Sequence, residues 1–201
     1  MKPISRELLH AWRLARSPAM QAVLDRAGLP EPRPTWGVDW VEPDGALYRP
    51  VAEGGRVAAI FGVWQETTLL DLVAVSLETR AMRRRLSLAL LLGHDRLEAA
   101  HRSSRPLTVF PDPLAWLAAE RRGGVVLDWR DVGFELGDVP ALACADEAMA
   151  LRLHRALTGF AGKAPPIFIT SRQAQEQADV RPIHPAAARH RAVQRGLGRL
   201  A

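Results

Sequence analysis

The sequence predicts an α/β or α+β fold with a helical pair, an antiparallel β-meander, a small mostly parallel α/β layer and a basic tail. Three patterns lead to this prediction. Apolar residues follow helical spacing up to residue 27, strand-like alternation fills residues 36–77, and strand-like and helix-like segments alternate over residues 106–170. A chain of 201 residues that is 48% hydrophobic and 24% charged is neither wholly disordered, collagen-like nor a membrane bundle.

The first segment, residues 1–34, is predicted to contain two short helices at 5–15 and 18–27. Ser17 before Pro18 is typical of an N-cap followed by proline in the first turn, and Gly28 is a suitable C-terminal stop. Three prolines in the last six residues of this segment predict an extended connector.

The second segment, residues 35–105, is predicted to be the β-meander with a basic stretch behind it. Trp36, Val38 and Trp40 alternate with smaller or polar residues, which is the period of a strand. Together with Trp64 they are expected to be core residues more than platforms for stacking bases. The further predicted strands are 46–51, 57–64 and 69–77, and the basic stretch is predicted as a strand at 82–91 and a helix at 95–101.

The third segment, residues 106–170, is predicted to be a mostly parallel α/β layer, because strand and helix patterns alternate in it. Its predicted strands are 107–110, 125–127, 140–145 and 165–169, and its predicted helices are 113–121 and 146–157. The last segment, residues 171–201, is polar and rich in alanine and arginine. We expect it to be loosely docked or disordered by itself.

The charge is unevenly distributed along the chain, whose formal net charge is +5. Residues 80–105 carry seven basic and two acidic side chains, and residues 171–201 carry six and two. Basic segments on an acidic body favour an anionic partner, although they also occur as ordinary solvated surface. The residues predicted to contact the phosphates of a nucleic acid are Arg80, Arg83, Arg84, Arg85, Arg189, Arg191, Arg195 and Arg199.

Acidic residues follow three of the predicted strands of the α/β layer. Asp112, Asp128 and Asp146 would lie near the carboxyl ends of those strands, where ligands bind in open α/β sheets. Carboxylate oxygens suit Mg²⁺, so these residues are candidate metal ligands. The alternative is structural, since aspartate is also a favoured N-cap and turn residue. No other cofactor is predicted.

Cys144 is the only cysteine, so the chain is predicted to hold no internal disulfide and to belong to a reducing compartment, the cytoplasm. It lies in an apolar run and is expected to be a small core residue. We predict no signal peptide and no membrane contact, because the N-terminus lacks a continuous apolar segment and the apolar stretch at 86–92 is too short to span a bilayer.

The order of elements in residues 106–158 resembles a toprim module, the metal-binding α/β unit of bacterial primases and topoisomerases. Residues 107–116 resemble its first strand and helix, residues 124–128 its second strand, and residues 141–148 its acidic strand end. The family has a catalytic glutamate after the first strand and then an Asp-x-Asp pair, where this chain has Asp112 and, of the pair, only Asp146. The resemblance implies a degenerate copy that binds without cutting or polymerising.

Residues 113–129 also resemble uncharacterised proteins of bacterial prophages and mobile elements. Three hypotheses about function follow. The first is a non-catalytic accessory protein associated with nucleic acid, in replication or mobile-element maintenance. The second is a Mg²⁺-dependent phosphoryl-transfer enzyme of degenerate toprim type. The third is a protein-interaction subunit whose basic tail binds a protein partner.

Overall fold

A computed structural model describes residues 3–159 and 164–170, together with the backbone of residues 181–182. The predicted basic tail lies outside these residues except for that short backbone stretch. The helices are α1 (Pro3–Ala15), α2 (Pro18–Arg26), α3 (His94–Ser103), α4 (Pro113–Ala118), α5 (Gly133–Leu136) and α6 (Glu147–Leu157). The strands are β1 (Trp36–Asp44), β2 (Leu47–Pro50), β3 (Arg56–Gln65), β4 (Thr68–Ser76), β5 (Met82–Arg84), β6 (Leu91–Leu92), β7 (Leu107–Phe110), β8 (Gly124–Val126), β9 (Leu142–Cys144), β10 (Ile167–Ile169) and β11 (Arg181–Pro182). The mixed α/β class is confirmed.

The two N-terminal helices form where local signals predicted them. The Ser17 hydroxyl accepts a hydrogen bond from the Met20 amide, and Pro18 occupies the first turn of α2, where its missing N–H costs nothing. Gly28 has a φ of +65°, the left-handed conformation that ends a helix and that glycine adopts without a steric penalty.

Strands β1 to β5 close into a barrel in the order β1-β2-β5-β4-β3. The order differs from that of a meander, because β3 pairs with β1 and not with β2. The physical reason is that β1 is long enough to pair with a different strand on each of its edges. Its residues 36–41 pair with β3 on one edge, while its residues 41–44 pair with the short β2 on the other.

Both faces of the barrel strands are buried. One face packs on α1, which crosses β1 so closely that a Cβ on Gly37 would lie 2.3 Å from the backbone of Ala11. The other face packs on α2, α4 and the second sheet, where the Trp36 ring stacks on Phe61 and Phe61 meets the edge of Trp116. Trp36 is therefore core, as expected. Trp40 is only partly buried and Trp64 is 37% exposed, so for Trp64 the expectation was wrong.

The second sheet has the order β11-β10-β9-β7-β8-β6. The four central strands are parallel, and β6 and β11 are antiparallel at its edges, so the predicted mostly parallel layer is confirmed. Alternate residues of β8 enter different cores: Val125 packs with the barrel, and Val126 packs with α3, α5 and α6.

The predicted strand at 82–91 does not form. Residues 82–84 belong to the barrel as β5 and residues 91–92 to the second sheet as β6, with irregular backbone between them. The cause is Asp71 of β4, whose fully buried carboxylate accepts hydrogen bonds from the amides of Leu86, Leu88 and Ala89. These amides bond to a carboxylate and not to a neighbouring strand, so the chain turns from one sheet to the other here. The predicted helix that follows is confirmed as α3.

None of the helices within the described residues has the length and apolar character needed to cross a membrane.

Candidate nucleic-acid interface

Arg80 joins the barrel to the second sheet. Its guanidinium binds both carboxylate oxygens of Asp112, at 2.7 and 2.9 Å from Nη2. Asp112 is also the N-cap of α4 and accepts hydrogen bonds from the Leu114 and Ala115 amides. Arg80, a predicted phosphate contact, and Asp112, a predicted metal ligand, therefore bind each other.

Arg84 and Asp128 form a second such pair, buried between β5 and the end of β8. Arg84 Nη2 lies 2.6 Å from Asp128 Oδ2, and Nη1 donates to the Ala89 carbonyl oxygen at 3.0 Å. The side chain of Arg84 is only 10% exposed. The prediction that Arg84 contacts phosphate is thus incompatible with its burial, and its role is structural.

Arg85 points toward α1. Its Nε donates to Glu7 at 2.9 Å, and the Tyr48 hydroxyl donates to the other oxygen of the same carboxylate at 2.8 Å. Burial, together with the negative charge of Glu7, raises the pKa of Tyr48 well above its ordinary value. Arg85 therefore holds α1 on the barrel.

Of the four predicted arginines in this stretch, Arg83 differs from the others. It is half-buried, and the hydrogen bond shown for its side chain goes from Nε to the carbonyl oxygen of Gly45 at 3.4 Å, not to a carboxylate. Its charge remains available to an external anion. The predicted contacts at Arg189, Arg191, Arg195 and Arg199 lie outside the described residues and stay predictions.

The predicted metal ligands lie at the carboxyl ends of three adjacent strands, as their sequence positions implied. Asp128 follows β8, Asp112 follows β7 and Asp146 follows β9. Asp146 is the N-cap of α6 and accepts a hydrogen bond from the Met149 amide, while the other two carboxylates bind arginines. Within the described residues, no group of three or more histidine, cysteine or acidic side chains is placed to hold a metal ion. Each of the three predicted ligands already has a partner in the fold, and the magnesium site stays a prediction.

A groove lies between the barrel and the end of β8, with a volume of about 380 Å³. We call it the junction groove. It is lined by Gly45, Ala46, Ala81, Met82, Arg83, Arg84, Leu127, Asp128, Trp129 and Arg130. Three arginines and one carboxylate are among these residues, so the lining has a net positive charge. The volume is within the range of about 300–1,000 Å³ that ligand pockets have.

Trp129, Arg130 and Arg152 are the residues of this region that the sequence analysis missed. The Arg130 side chain is 84% exposed and only loosely contacts Asp128, at 3.4 Å. Arg152 of α6 lies over the Trp129 ring, 3.9 Å from its centroid, which is a cation–π contact. An Asp-Trp-Arg sequence directly after a buried parallel strand was a signal that could have found the first two.

Asp128 stays charged in the groove. Burial raises its pKa, but hydrogen bonds from the Arg130 amide and from the side chains of Arg130 and Arg84 outweigh burial, so the pKa is lowered overall. At neutral pH the Asp128 carboxylate and the Arg84 guanidinium therefore form an ion pair within the lining of the groove.

Cys144 is fully buried in the core of the second sheet, as expected. Burial and the negative charge of Asp146 raise the pKa of its thiol to about 11. At pH 8 only about one thiol in a thousand would then be ionised, and the thiolate is the reactive form. We expect an aromatic disulfide reagent to leave the native protein unlabelled at this pH and to label one thiol per chain in guanidinium chloride. Rapid labelling of the native protein would contradict this burial.

Comparisons of the chain with protein-family models, with curated proteins and with solved structures find no match.

Proposed function

We propose that this protein is a non-catalytic nucleic-acid-binding accessory protein that holds the sugar–phosphate backbone in the junction groove. The observation that carries the proposal is the groove itself, which is lined by Arg83 of the barrel and by Arg130 after β8 and has a net positive charge. Arginine suits this role because its planar fork matches phosphate oxygens. The proposal shifts the interface away from Arg80, Arg84 and Arg85, whose charges are already balanced by carboxylates.

Part of this proposal rests on the sequence alone. We propose that residues 106–170 are a degenerate toprim-like scaffold that binds without cutting, in a cytoplasmic protein of replication or mobile-element maintenance. A protein partner for the basic tail is compatible with it.

The proposal is tested by measuring how binding depends on salt. The probe is fluorescein-labelled single-stranded DNA of about 16 nucleotides, the upper end of the site size of single-strand-binding folds. We expect the double variant Arg83→Gln/Arg130→Gln to bind more weakly than wild type at low salt. The slope of log K against log[salt] should become less steep by about 0.7 for each phosphate that the variant no longer binds.

Two further variants locate the interface. Arg122 is exposed, pairs with Glu120 and does not line the groove, so Arg122→Gln should leave the slope close to that of wild type. The second variant replaces Arg189, Arg191, Arg195 and Arg199 with glutamine. If only this second variant lowers the slope, the groove is not the interface, and if wild type shows no binding at low salt the whole proposal is wrong.

A further inference from the structure

The junction groove combines its positive charge with an aromatic wall. Trp129 lines the groove beside Arg130 and is partly buried. Phosphate contacts alone would not need a tryptophan at this place. An indole that borders a cationic groove is the arrangement by which proteins bind single-stranded nucleic acid, because every base has a π face that can stack.

The ring is fixed before any ligand arrives. Arg152 lies over one face of the ring, 3.9 Å from its centroid, and Trp129 packs against the core of the second sheet. A base would therefore stack on the part of the indole that Arg152 leaves uncovered. A ring that is already held loses little side-chain entropy when a base packs against it. Arg152 also adds a positive charge beside the aromatic surface.

The groove is also lined by small residues. Gly45 and Ala46, in the turn between β1 and β2, take up little of its volume, which leaves space for a flat ligand. A base that is paired in a duplex could reach the recessed Trp129 ring only if it were flipped out, and flipping costs unpairing and unstacking energy. An unpaired base bears no such cost.

We propose that Trp129 stacks on an unpaired base, which makes the junction groove selective for single-stranded nucleic acid. This inference rests on the proposed function and adds the ligand class to it. Arg83 and Arg130 then hold the phosphates that flank the stacked base.

The test compares two labelled single strands of equal length and charge, one of thymidine nucleotides and one in which every base is absent. Because both strands carry the same phosphates, the difference in their dissociation constants reports base contacts alone. We expect wild type to bind the strand with bases about tenfold more tightly than the abasic strand, and more tightly than the corresponding duplex.

The variants then assign this difference to one residue. Trp129→Leu keeps apolar volume but removes the aromatic face, and it should bind the strand with bases about tenfold more weakly while its affinity for the abasic strand stays unchanged. Trp129→Tyr should restore most of the difference. Trp64→Leu is the matched control, because Trp64 is exposed on the barrel and does not line the groove. A thermal unfolding curve for each variant checks that it is folded.

The outcomes separate the two proposals. If wild type binds both strands equally and with a steep salt dependence, or if Trp129→Leu discriminates between them as wild type does, stacking on Trp129 is refuted and the phosphate-binding function stands. If wild type binds neither strand at low salt, the proposed function itself fails.

Discussion

Replacing Asp71 with alanine is expected to lower the free energy of unfolding by about 4 kcal/mol, because each buried amide that loses its acceptor costs about 1–3 kcal/mol and the partly buried amides add less. The Asp71 carboxylate accepts from the amides of Leu72, Leu86 and Leu88 within 2.9 Å, and more loosely from Ala89. The variant leaves these amides without that acceptor. It also frees the segment that leads from the barrel to the second sheet.

The measurement is urea unfolding followed by tryptophan fluorescence, with stability taken from the midpoint at an unchanged m-value. Asp71→Asn keeps the shape and one acceptor oxygen, so we expect about half of the loss seen with alanine. Asp95→Asn is the matched control, because the Asp95 side chain is 75% exposed and its replacement should change stability by less than about 0.5 kcal/mol. If Asp71→Ala unfolds at the same urea concentration as wild type, the carboxylate does not hold this segment.

Breaking the ion pair between Arg84 and Asp128 is expected to have the second large effect. Arg84→Met leaves Asp128 with only the loose side-chain contact from Arg130 and the Arg130 amide, and removing one member of a buried pair costs about 3–5 kcal/mol. Replacing both members, as Arg84→Met/Asp128→Leu, should recover much of this stability because no unpaired charge remains buried.

A double-mutant cycle measures this coupling in the same urea experiment. We expect a coupling free energy above about 1 kcal/mol for Arg84 with Asp128. The control cycle uses Arg122 and Glu120, an exposed pair for which about 0–1 kcal/mol is usual. Equal coupling in the two cycles would show that burial adds nothing to the Arg84 pair.

The same pair predicts an acid dependence of stability. The pKa of Asp128 is lower in the folded protein than in the unfolded chain, because hydrogen bonds from Arg130 and Arg84 outweigh the effect of burial. The unfolded state therefore binds the proton first as the pH falls below about 4, and the stability that Asp128 contributes is lost as the pH drops through its folded pKa. Asp128→Asn should remove that part of the pH dependence, while Asp95→Asn should retain it.

The local features of the fold could be predicted from the sequence because the residues that produce them are close together in the chain. Ser17, Pro18 and Gly28 define the ends of α2, and the strands predicted at 57–64 and 69–77 match β3 and β4 within one residue. Asp146 is an N-cap, which was the structural alternative for it, and Asp112 is also an N-cap. Such signals act over a few residues, so they are visible without the tertiary structure.

The partners of the charged residues could not be predicted in this way. Arg80 is 32 residues from Asp112, Arg84 is 44 from Asp128 and Arg85 is 78 from Glu7. By residue type alone, the arginines could contact phosphate and the aspartates could bind a metal ion just as well as they could pair with each other. Only the tertiary structure, which places β5 beside the end of β8, Arg80 beside the end of β7 and α1 on the barrel, makes these arginines and carboxylates partners of each other.

The sequence by itself therefore determined most of the helices and strands, the parallel layer and the burial of Cys144, because periodicity and capping are local properties. The tertiary structure alone decided which charges neutralise one another, that Asp71 turns the chain between the sheets, and that Trp129 and Arg152 meet beside Arg83 and Arg130. The physical reason is that ion pairs, buried acceptors and grooves depend on distances in space, which the spacing of residues along the chain does not contain.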